Sequence, residues 1–274
     1  MQIGKRDFKE TGKAYLMGIL NVTPDSFSDG GRYDSKERIL SRVSEMIREG
    51  ADIIDIGGES TRPGALFVPF SEELERVLPA VSLIKSEFDV PVSVDTRKAE
   101  VAKKAIEEGA DLINDVSGLR FDPGMGRVLA KASLPCCLMH DRGEQSEETE
   151  PERYLSEVLE EMAEIASDAV KVGIKRDNII LDPGIGFHKT YDQNMILLAN
   201  LSRLKELSFP ILLGVSRKSV IGKALELPVE EREEATIALS LSGLNSGVNF
   251  LRVHNVKGNR RALSMMEALS DYRV

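Results

Sequence analysis

Acidic and amide side chains close several short apolar runs of this sequence: Asp95 in Ser93-Val94-Asp95-Thr96, Asn114 and Asp115 in Ile113-Asn114-Asp115, and Asp182 in Leu181-Asp182-Pro183-Gly184. A carboxylate so placed accepts two parallel N–H bonds from a guanidine-like edge, as it does from Arg. Asn offers a donor and an acceptor together, which suits the rim of a heteroaromatic ring. Blander readings exist: Asp-Pro-Gly is strong turn chemistry, and Asp95 could cap a helix beginning near Lys98. Thr96 and Arg97 lie closer to that helix start, however, and a turn does not require its Asp to emerge straight from a buried strand. The functional reading is therefore the stronger one for both carboxylates.

Cations are grouped near the C-terminal end. Ser216-Arg217-Lys218-Ser219 follows the apolar run Ile211-Leu212-Leu213-Gly214-Val215, so at least one cation should face whatever lies beyond it. Lys218 could donate to a ring carbonyl, and the N–H groups of the helix that starts there suit an acidic ligand. In Arg252-Val253-His254, period two places Arg252 and His254 on one side, as in an anion pocket. Glycine-rich Gly57-Gly58-Glu59-Ser60-Thr61-Arg62-Pro63-Gly64 brings Thr61 and Arg62 as donors for phosphate oxygens. The long connection from Asn21 through Asp34 carries an apolar tip at Phe27 and hinge freedom at Gly30-Gly31, the makings of a lid.

These residues need a scaffold that gathers them. Short β-branched runs at 15–20, 53–56, 92–94, 112–113, 136–139, 179–181, 211–215 and 250–253 alternate with helix-period stretches such as 37–48, 72–88, 98–108, 151–172 and 193–207. Alternation of this kind implies parallel strands with right-handed crossovers. Gly50-Ala51-Asp52, Gly109-Ala110-Asp111 and Gly247-Val248-Asn249 repeat one layout, with a looser copy from Gly173 to Asp182: a glycine closes a helix, and a short strand follows. Eight such units fit an α/β fold of the (βα)8 TIM-barrel type, a single domain over residues 1–274, and no Gly-x-Gly-x-x-Gly follows any strand. In a barrel the strand exits converge on one mouth. Read in order they carry Asn21, Asp55 with Glu59, Asp95, Asn114 with Asp115, His140, Asp182, Arg217 with Lys218, and Arg252 with His254. Polar groups near a core are costly unless paired, so such a gathering points to a ligand.

Composition narrows the ligand. The 274 residues hold 36 Lys plus Arg against 45 Asp plus Glu, a net charge of −9. This balance opposes nucleic acid binding, while a small anion is still served by a few focused cations. No apolar run approaches the roughly 18 residues of a membrane span, and the charged N-terminus does not read as a signal peptide; a cytoplasmic location is expected. The adjacent Cys136 and Cys137 point to opposite faces of a strand and read as small buried hydrophobes. The acidic loop 141–150 reads as a solvated excursion ahead of Pro151.

Taken together, the blocks resemble the dihydropteroate synthase family of pterin-binding barrels. Asn21-Val22-Thr23-Pro24-Asp25-Ser26-Phe27-Ser28-Asp29-Gly30-Gly31 is similar to its first signature. Gly58-Glu59-Ser60-Thr61-Arg62-Pro63-Gly64, Ser93-Val94-Asp95-Thr96, Ile113-Asn114-Asp115-Val116-Ser117-Gly118, Leu181-Asp182-Pro183-Gly184-Ile185-Gly186-Phe187, Ser216-Arg217-Lys218-Ser219 and Arg252-Val253-His254 follow in the family's order, from Met17 to about Val256. The resemblance implies a homodimeric transferase of folate biosynthesis, inhibited by sulfonamides, that joins 6-hydroxymethyl-7,8-dihydropterin diphosphate to 4-aminobenzoate, giving 7,8-dihydropteroate and pyrophosphate. It implies that Asp95, Asn114, Asp182 and Lys218 hold the pterin, with Met139 and Phe187 lining the site. Thr61, Arg62, Arg252 and His254 would contact the diphosphate, Asn21 would ligate Mg²⁺, and Ser219 with the helix start would receive the aminobenzoate carboxylate, beside Pro24 and Phe27 on the closing loop.

The residue inventory suits that chemistry on its own terms: a neutral arylamine needs no strong base, whereas departure of pyrophosphate needs anion-stabilising groups, and no familiar Ser-His-Asp motif appears. Two departures from the family pattern, His188 after Phe187 and Asp141-Arg142 between His140 and Gly143, bear on loop geometry and aminobenzoate affinity. A methyltetrahydrofolate-dependent corrinoid methyltransferase would share the acceptors but has no use for the diphosphate set. A non-catalytic pterin-binding barrel would not require every functional position to be competently filled.

Overall fold

Period-two alternation in eight short runs builds one cylinder, and the helices between them cover its outside. The computed structural model describes residues 1–9, 13–22, 32–60, 66–143, 148, 150–270 and 272. After an antiparallel hairpin of β1 (Gln2–Ile3) and β2 (Arg6–Asp7) come β3 (Tyr15–Asn21), α1 (Arg32–Arg48), β4 (Ile53–Gly57), α2 (Phe70–Glu87), β5 (Val92–Asp95) and α3 (Ala99–Glu107). The chain continues with β6 (Leu112–Asp115), α4 (Met125–Ala132), β7 (Cys136–Met139), α5 (Pro151–Lys171), β8 (Ile179–Asp182) and α6 (Tyr191–Ala199). It ends with β9 (Leu212–Leu213), α7 (Ser219–Leu225), α8 (Glu233–Asn245), β10 (Phe250–Val253) and α9 (Val256–Ser270). The eight long-range strands pair in parallel in the order β8-β7-β6-β5-β4-β3-β10-β9, and a parallel bridge between Leu181 and Ile211 joins the two ends. The barrel expected from the alternation is the fold observed.

Alternation sorts the core into two parts. Outward residues such as Leu16, Ile54, Ile56, Val94, Ile113, Leu138, Leu181 and Leu251 pack under the helices. Inward residues Met17, Ile53, Leu112, Cys137, Ile180, Leu212 and Phe250 form a separate apolar layer that Ile3 and Phe8 of the hairpin complete from below. Cys136 accordingly faces the helices and Cys137 the barrel interior, both buried and free of any disulfide. The repeated glycines Gly50, Gly109, Gly173 and Gly247 all take φ between 85° and 106° at helix ends, where a side chain would be strained.

Four elements differ from expectation. The seventh barrel strand is two residues long rather than five, because the Asn249 side chain and the backbone N–H groups of Asn249 and Phe250 engage Ile211, and beyond Leu213 the chain turns with Val215 accepting from Lys218 N at 3.2 Å. The helix expected over 193–207 divides at Asn200, whose side chain donates to Ile196 O at 2.8 Å and leaves a 3₁₀ segment over Leu201–Leu207. The first helix begins at Arg32, so the first connection is shorter than Asn21 to Asp34. The hairpin β1–β2 carries only Ile3 and Phe8 as buried anchors, too few for any periodic signal.

Candidate active site

Moving two residues along a strand stays on the same face, so each residue two positions beyond the apolar floor also points inward. From Ile53 this step reaches Asp55, from Leu112 Asn114, from Cys137 Met139, from Ile180 Asp182 and from Phe250 Arg252. Strand register then sets them side by side: Asn21 pairs with Gly57, Gly57 with Asp95, Asp95 with Asn114, and Met139 with Asp182. The polar groups thus form a ring at the C-terminal mouth, one layer above a dry floor.

A charge bridge crosses this ring. Arg252 Nε donates to Asp55 Oδ2 at 2.6 Å, and its Nη2 donates to Asp95 Oδ2 at 2.7 Å. Burial disfavours the guanidinium charge, but Asp55 and Asp95 outweigh it and hold the group firmly protonated. Asp95 is itself pushed up, first by burial and then by the neighbouring Asp55 and Glu73, against the pull of Arg252 and Lys218. Oδ1 of Asp55, Oδ1 of Asp95 and Oγ of Ser93 are buried without a hydrogen-bond partner among the described residues. Each such orphan costs free energy that a ligand N–H would recover.

Asp182 serves both of the readings open to it. Its Oδ1 accepts from Gly184 N at 2.7 Å, closing the turn, while the carboxylate stays in the mouth within the field of Lys218, Lys189 and Arg252. Burial raises its pKa, and the Gly184 hydrogen bond and those cations oppose the rise. Lys218, the residue before α7, holds Nζ 4.1 Å from the Phe187 ring centroid, a cation–π contact that presents both to the same space. Asn114 and Met139 are buried in the wall. Ser219 is exposed at the first turn of α7. His254 meets Ser216 Oγ through Nδ1 at 2.9 Å. Asp95 does not cap α3: Thr96 Oγ1 accepts from Lys98 N and Asp122 from Ala99 N.

Not every strand-exit residue faces the mouth. Asp115 points outward and is consumed by its own turn, accepting from Ser117 N, Ser117 Oγ and Leu119 N at 2.6–2.8 Å. His140 likewise turns to α5, with Nε2 2.6 Å from Glu161 Oε2. Its burial lowers the imidazole pKa to about 4, the Glu161 contact notwithstanding. Arg217 pairs with Glu233 at 3.3 Å, so Lys218 is the cation of that pair that faces inward. Glu59 is held by Lys98 at 2.5 Å, Arg97 at 3.3 Å and Val68 N at 3.2 Å, which outweigh burial and lower its pKa. Thr61 and Arg62, with Pro24 and Phe27, lie outside the described residues. Asp55 was visible as a strand-exit residue, but nothing in its neighbourhood of sequence names Arg252 as its partner.

The described start of the 141–150 loop, Asp141 and Arg142, is less solvated than the loop's acidity suggests. Asp141 Oδ1 meets His188 Nδ1 at 2.8 Å, and Arg142 pairs with Glu161 and Glu157 at 2.8 and 3.2 Å. The two departures from the family pattern are therefore partners across neighbouring loops. Glu150 caps α5 by accepting from Glu152 N and Arg153 N.

Asn21 can contribute a hard amide oxygen to a divalent cation. Its Oδ1 lies beside Gly57, 3.5 Å from where a Cβ on that glycine would stand. Among the described residues no three His, Cys, Asp or Glu side chains form a metal cage. An amide oxygen of this kind could serve a Mg²⁺ ion that keeps the rest of its shell as water and phosphate oxygens.

A model of the family described as pterin binding enzyme matches residues 17–254. The chain is 51% identical over 270 residues to a dihydropteroate synthase of Clostridium beijerinckii, covering 98% of this chain and 99% of that one. It superposes on Xanthomonas albilineans dihydropteroate synthase with 4-aminobenzoic acid at a TM-score of 0.89, with 40% identity and 94% and 93% of the two chains covered. The same organism's enzyme in complex with 7,8-dihydropteroate gives 0.86 and 37%, covering 96% and 95%.

Proposed function

The chain belongs to the dihydropteroate synthase family of pterin-binding enzymes, and from that premise we propose that it condenses 6-hydroxymethyl-7,8-dihydropterin diphosphate with 4-aminobenzoate, releasing 7,8-dihydropteroate and pyrophosphate. The observation that carries this reading is the ring of Asp95, Asn114, Asp182, Lys218 and Arg252 set above an apolar floor, with buried acceptors on Asp55 and Asp95 that have no partner among the described residues. A flat bicyclic ring with a guanidine-like edge answers those acceptors.

In this reading Asp182 and Asp95 accept from the amino-pyrimidine edge, Asn114 bonds the rim, and Lys218 donates to the ring carbonyl. Met139 and Phe187 contact the ring faces. Arg252, clamped by Asp55 and Asp95, is a fixed positive charge beside the ring methylene, and His254 with Thr61 and Arg62 would meet the diphosphate. Asn21 would hold Mg²⁺, which when bound would neutralise charge on the diphosphate. Ser219 and the start of α7 would receive the aminobenzoate carboxylate. The bond from methylene carbon to diphosphate oxygen breaks as pyrophosphate leaves. The neutral aniline nitrogen supplies the electron pair for the new carbon–nitrogen bond and then loses a proton. The chain's residues spread the leaving charge and exclude water; none is required as a strong base.

A homodimer in the cytoplasm belongs to the same proposal. Among the described residues no helix is long and apolar enough to cross a membrane. The test is pyrophosphate release by the purified protein with both substrates and Mg²⁺. Release should depend on 4-aminobenzoate and fall at least a hundredfold with EDTA. Release at the same rate without the aniline would refute the coupling, and an EDTA-insensitive rate would remove Mg²⁺ from the scheme.

A further inference from the structure

Lys189, in the loop after β8, is buried, and its three N–H donors meet three backbone carbonyls: Gly184 O at 3.0 Å, His140 O at 3.1 Å and Phe187 O at 3.3 Å. No carboxylate hydrogen-bonds it among the described residues. A buried cation matched to carbonyls alone is costly and rarely retained for stability by itself. What it joins explains it. His140 is the exit of β7, and its N–H donates to Asp182 O at 2.8 Å. Gly184 N donates to the Asp182 carboxylate at 2.7 Å, and Phe187 carries the ring that packs on Lys218. Gly184 takes φ +67°, and a Cβ there would collide with His140 O, so the loop after β8 presses directly on the β7 exit. Asn194 secures the same loop from α6, accepting from Gly186 N at 2.6 Å and donating to Lys189 O at 3.1 Å.

We propose that Lys189 is a positioning residue for the pterin site: its ammonium staples the loop that carries Asp182 and Phe187 to the exit of β7, setting the carboxylate and the ring at the spacing the pterin needs. This rests on the proposed pterin site. A charged ammonium supplies all three donors, and a neutral amine supplies two, so the staple weakens when the proton leaves. Burial lowers the Lys189 pKa to about 8, opposed by Asp141 and Asp182 and reinforced by Arg142 and Lys218, the charged groups around it on the adjoining loops, β8 and the residue before α7. The staple is therefore intact at pH 7 and weakens on passing through about pH 8.

The experiment is calorimetric binding of 6-hydroxymethyl-7,8-dihydropterin to the full chain between pH 7 and 9.5, comparing wild type with Lys189→Arg and Lys189→Met. Wild-type affinity should fall at least threefold more steeply than that of Lys189→Arg, whose guanidinium keeps its charge; the ligand's own titration is common to both. Lys189→Met should bind at least tenfold more weakly at pH 7, raising KM for the pterin substrate with kcat within about threefold. Parallel profiles for wild type and Lys189→Arg would overturn the proposal, as would a folded Lys189→Met with affinity within twofold of wild type. If Lys189→Met does not fold, the comparison with Lys189→Arg decides alone. Absence of any pterin binding by the wild type at pH 7 would instead refute the pterin site itself, and the staple's role with it.

Discussion

The two ends of the barrel are made by the same strands under the same alternation, and they carry opposite chemistry. At the lower end the inward side chains are Met17, Ile53, Leu112, Cys137, Ile180, Leu212 and Phe250, closed by Ile3 and Phe8. Two residues further along the same strands the inward positions hold Asp55, Asn114, Asp182 and Arg252. The floor satisfies itself by burial: Phe8 stands edge-on to Tyr15 with centroids 4.8 Å apart and 5.8 Å from Phe250. The mouth does not satisfy itself in the same way, because Oδ1 of Asp55 and Oδ1 of Asp95 are buried with no hydrogen-bond partner among the described residues. In this barrel stability and function are therefore separated by about two residues of strand, roughly 7 Å, and each end should respond to its own class of change.

Asp182→Ala and Lys218→Ala should abolish pterin binding, a loss of at least a hundredfold in calorimetry. Thermal unfolding should be little changed for Lys218→Ala, while Asp182→Ala also loses the Gly184 hydrogen bond, about 1–3 kcal/mol. Near-normal affinity would show that the mouth does not hold the ring as described. Phe8→Ala should do the reverse, costing about 3 kcal/mol of stability while pterin affinity stays within twofold; a denaturant titration paired with the same calorimetry reads both. A large loss of affinity there would mean the floor shapes the mouth after all.

A third change concerns the wall between them. His140 is neutral when folded, with its pKa lowered to about 4 from 6.5. Because the folded state resists the proton, stability is full above pH 6.5 and declines as pH falls toward 4. The difference is on the order of 2–3 kcal/mol. In His140→Gln that part of the decline should be missing; identical acid profiles would assign the loss to other groups. The smallest effect is expected at His188, where φ is +40° and the side chain meets Asp141 while half exposed. His188→Gly relieves the backbone and removes an exposed pair, so stability should move by less than about 1 kcal/mol, as a melting curve would show.

The legible part of this molecule was periodic or local. Period two in the short runs, glycines at Gly50, Gly109, Gly173 and Gly247, and polar residues at strand exits are one-dimensional patterns, and they lead to a barrel with its ring of candidates. Where local signals compete, sequence order over-reaches: a converging mouth gathers His140 and Asp115 with the other exit residues, yet both sit one residue out of phase with the inner wall and turn to Glu161 and to the 115–119 turn. The Asn200 break and the hairpin plug were missed because one competing amide and two anchor residues leave no period to detect.

Chain-local rules thus settle which residues can stand at the mouth, since strand phase is a property of neighbours in sequence. Which of them meet is decided only when the sheet closes. Arg252 reaches Asp55 and Asp95 over sequence separations of 197 and 157, and Lys189 finds its third carbonyl 49 residues away at the exit of another strand. Hydrogen bonds form within about 3 Å, and no spacing along the chain encodes a separation that small until closure brings distant strand ends around one axis.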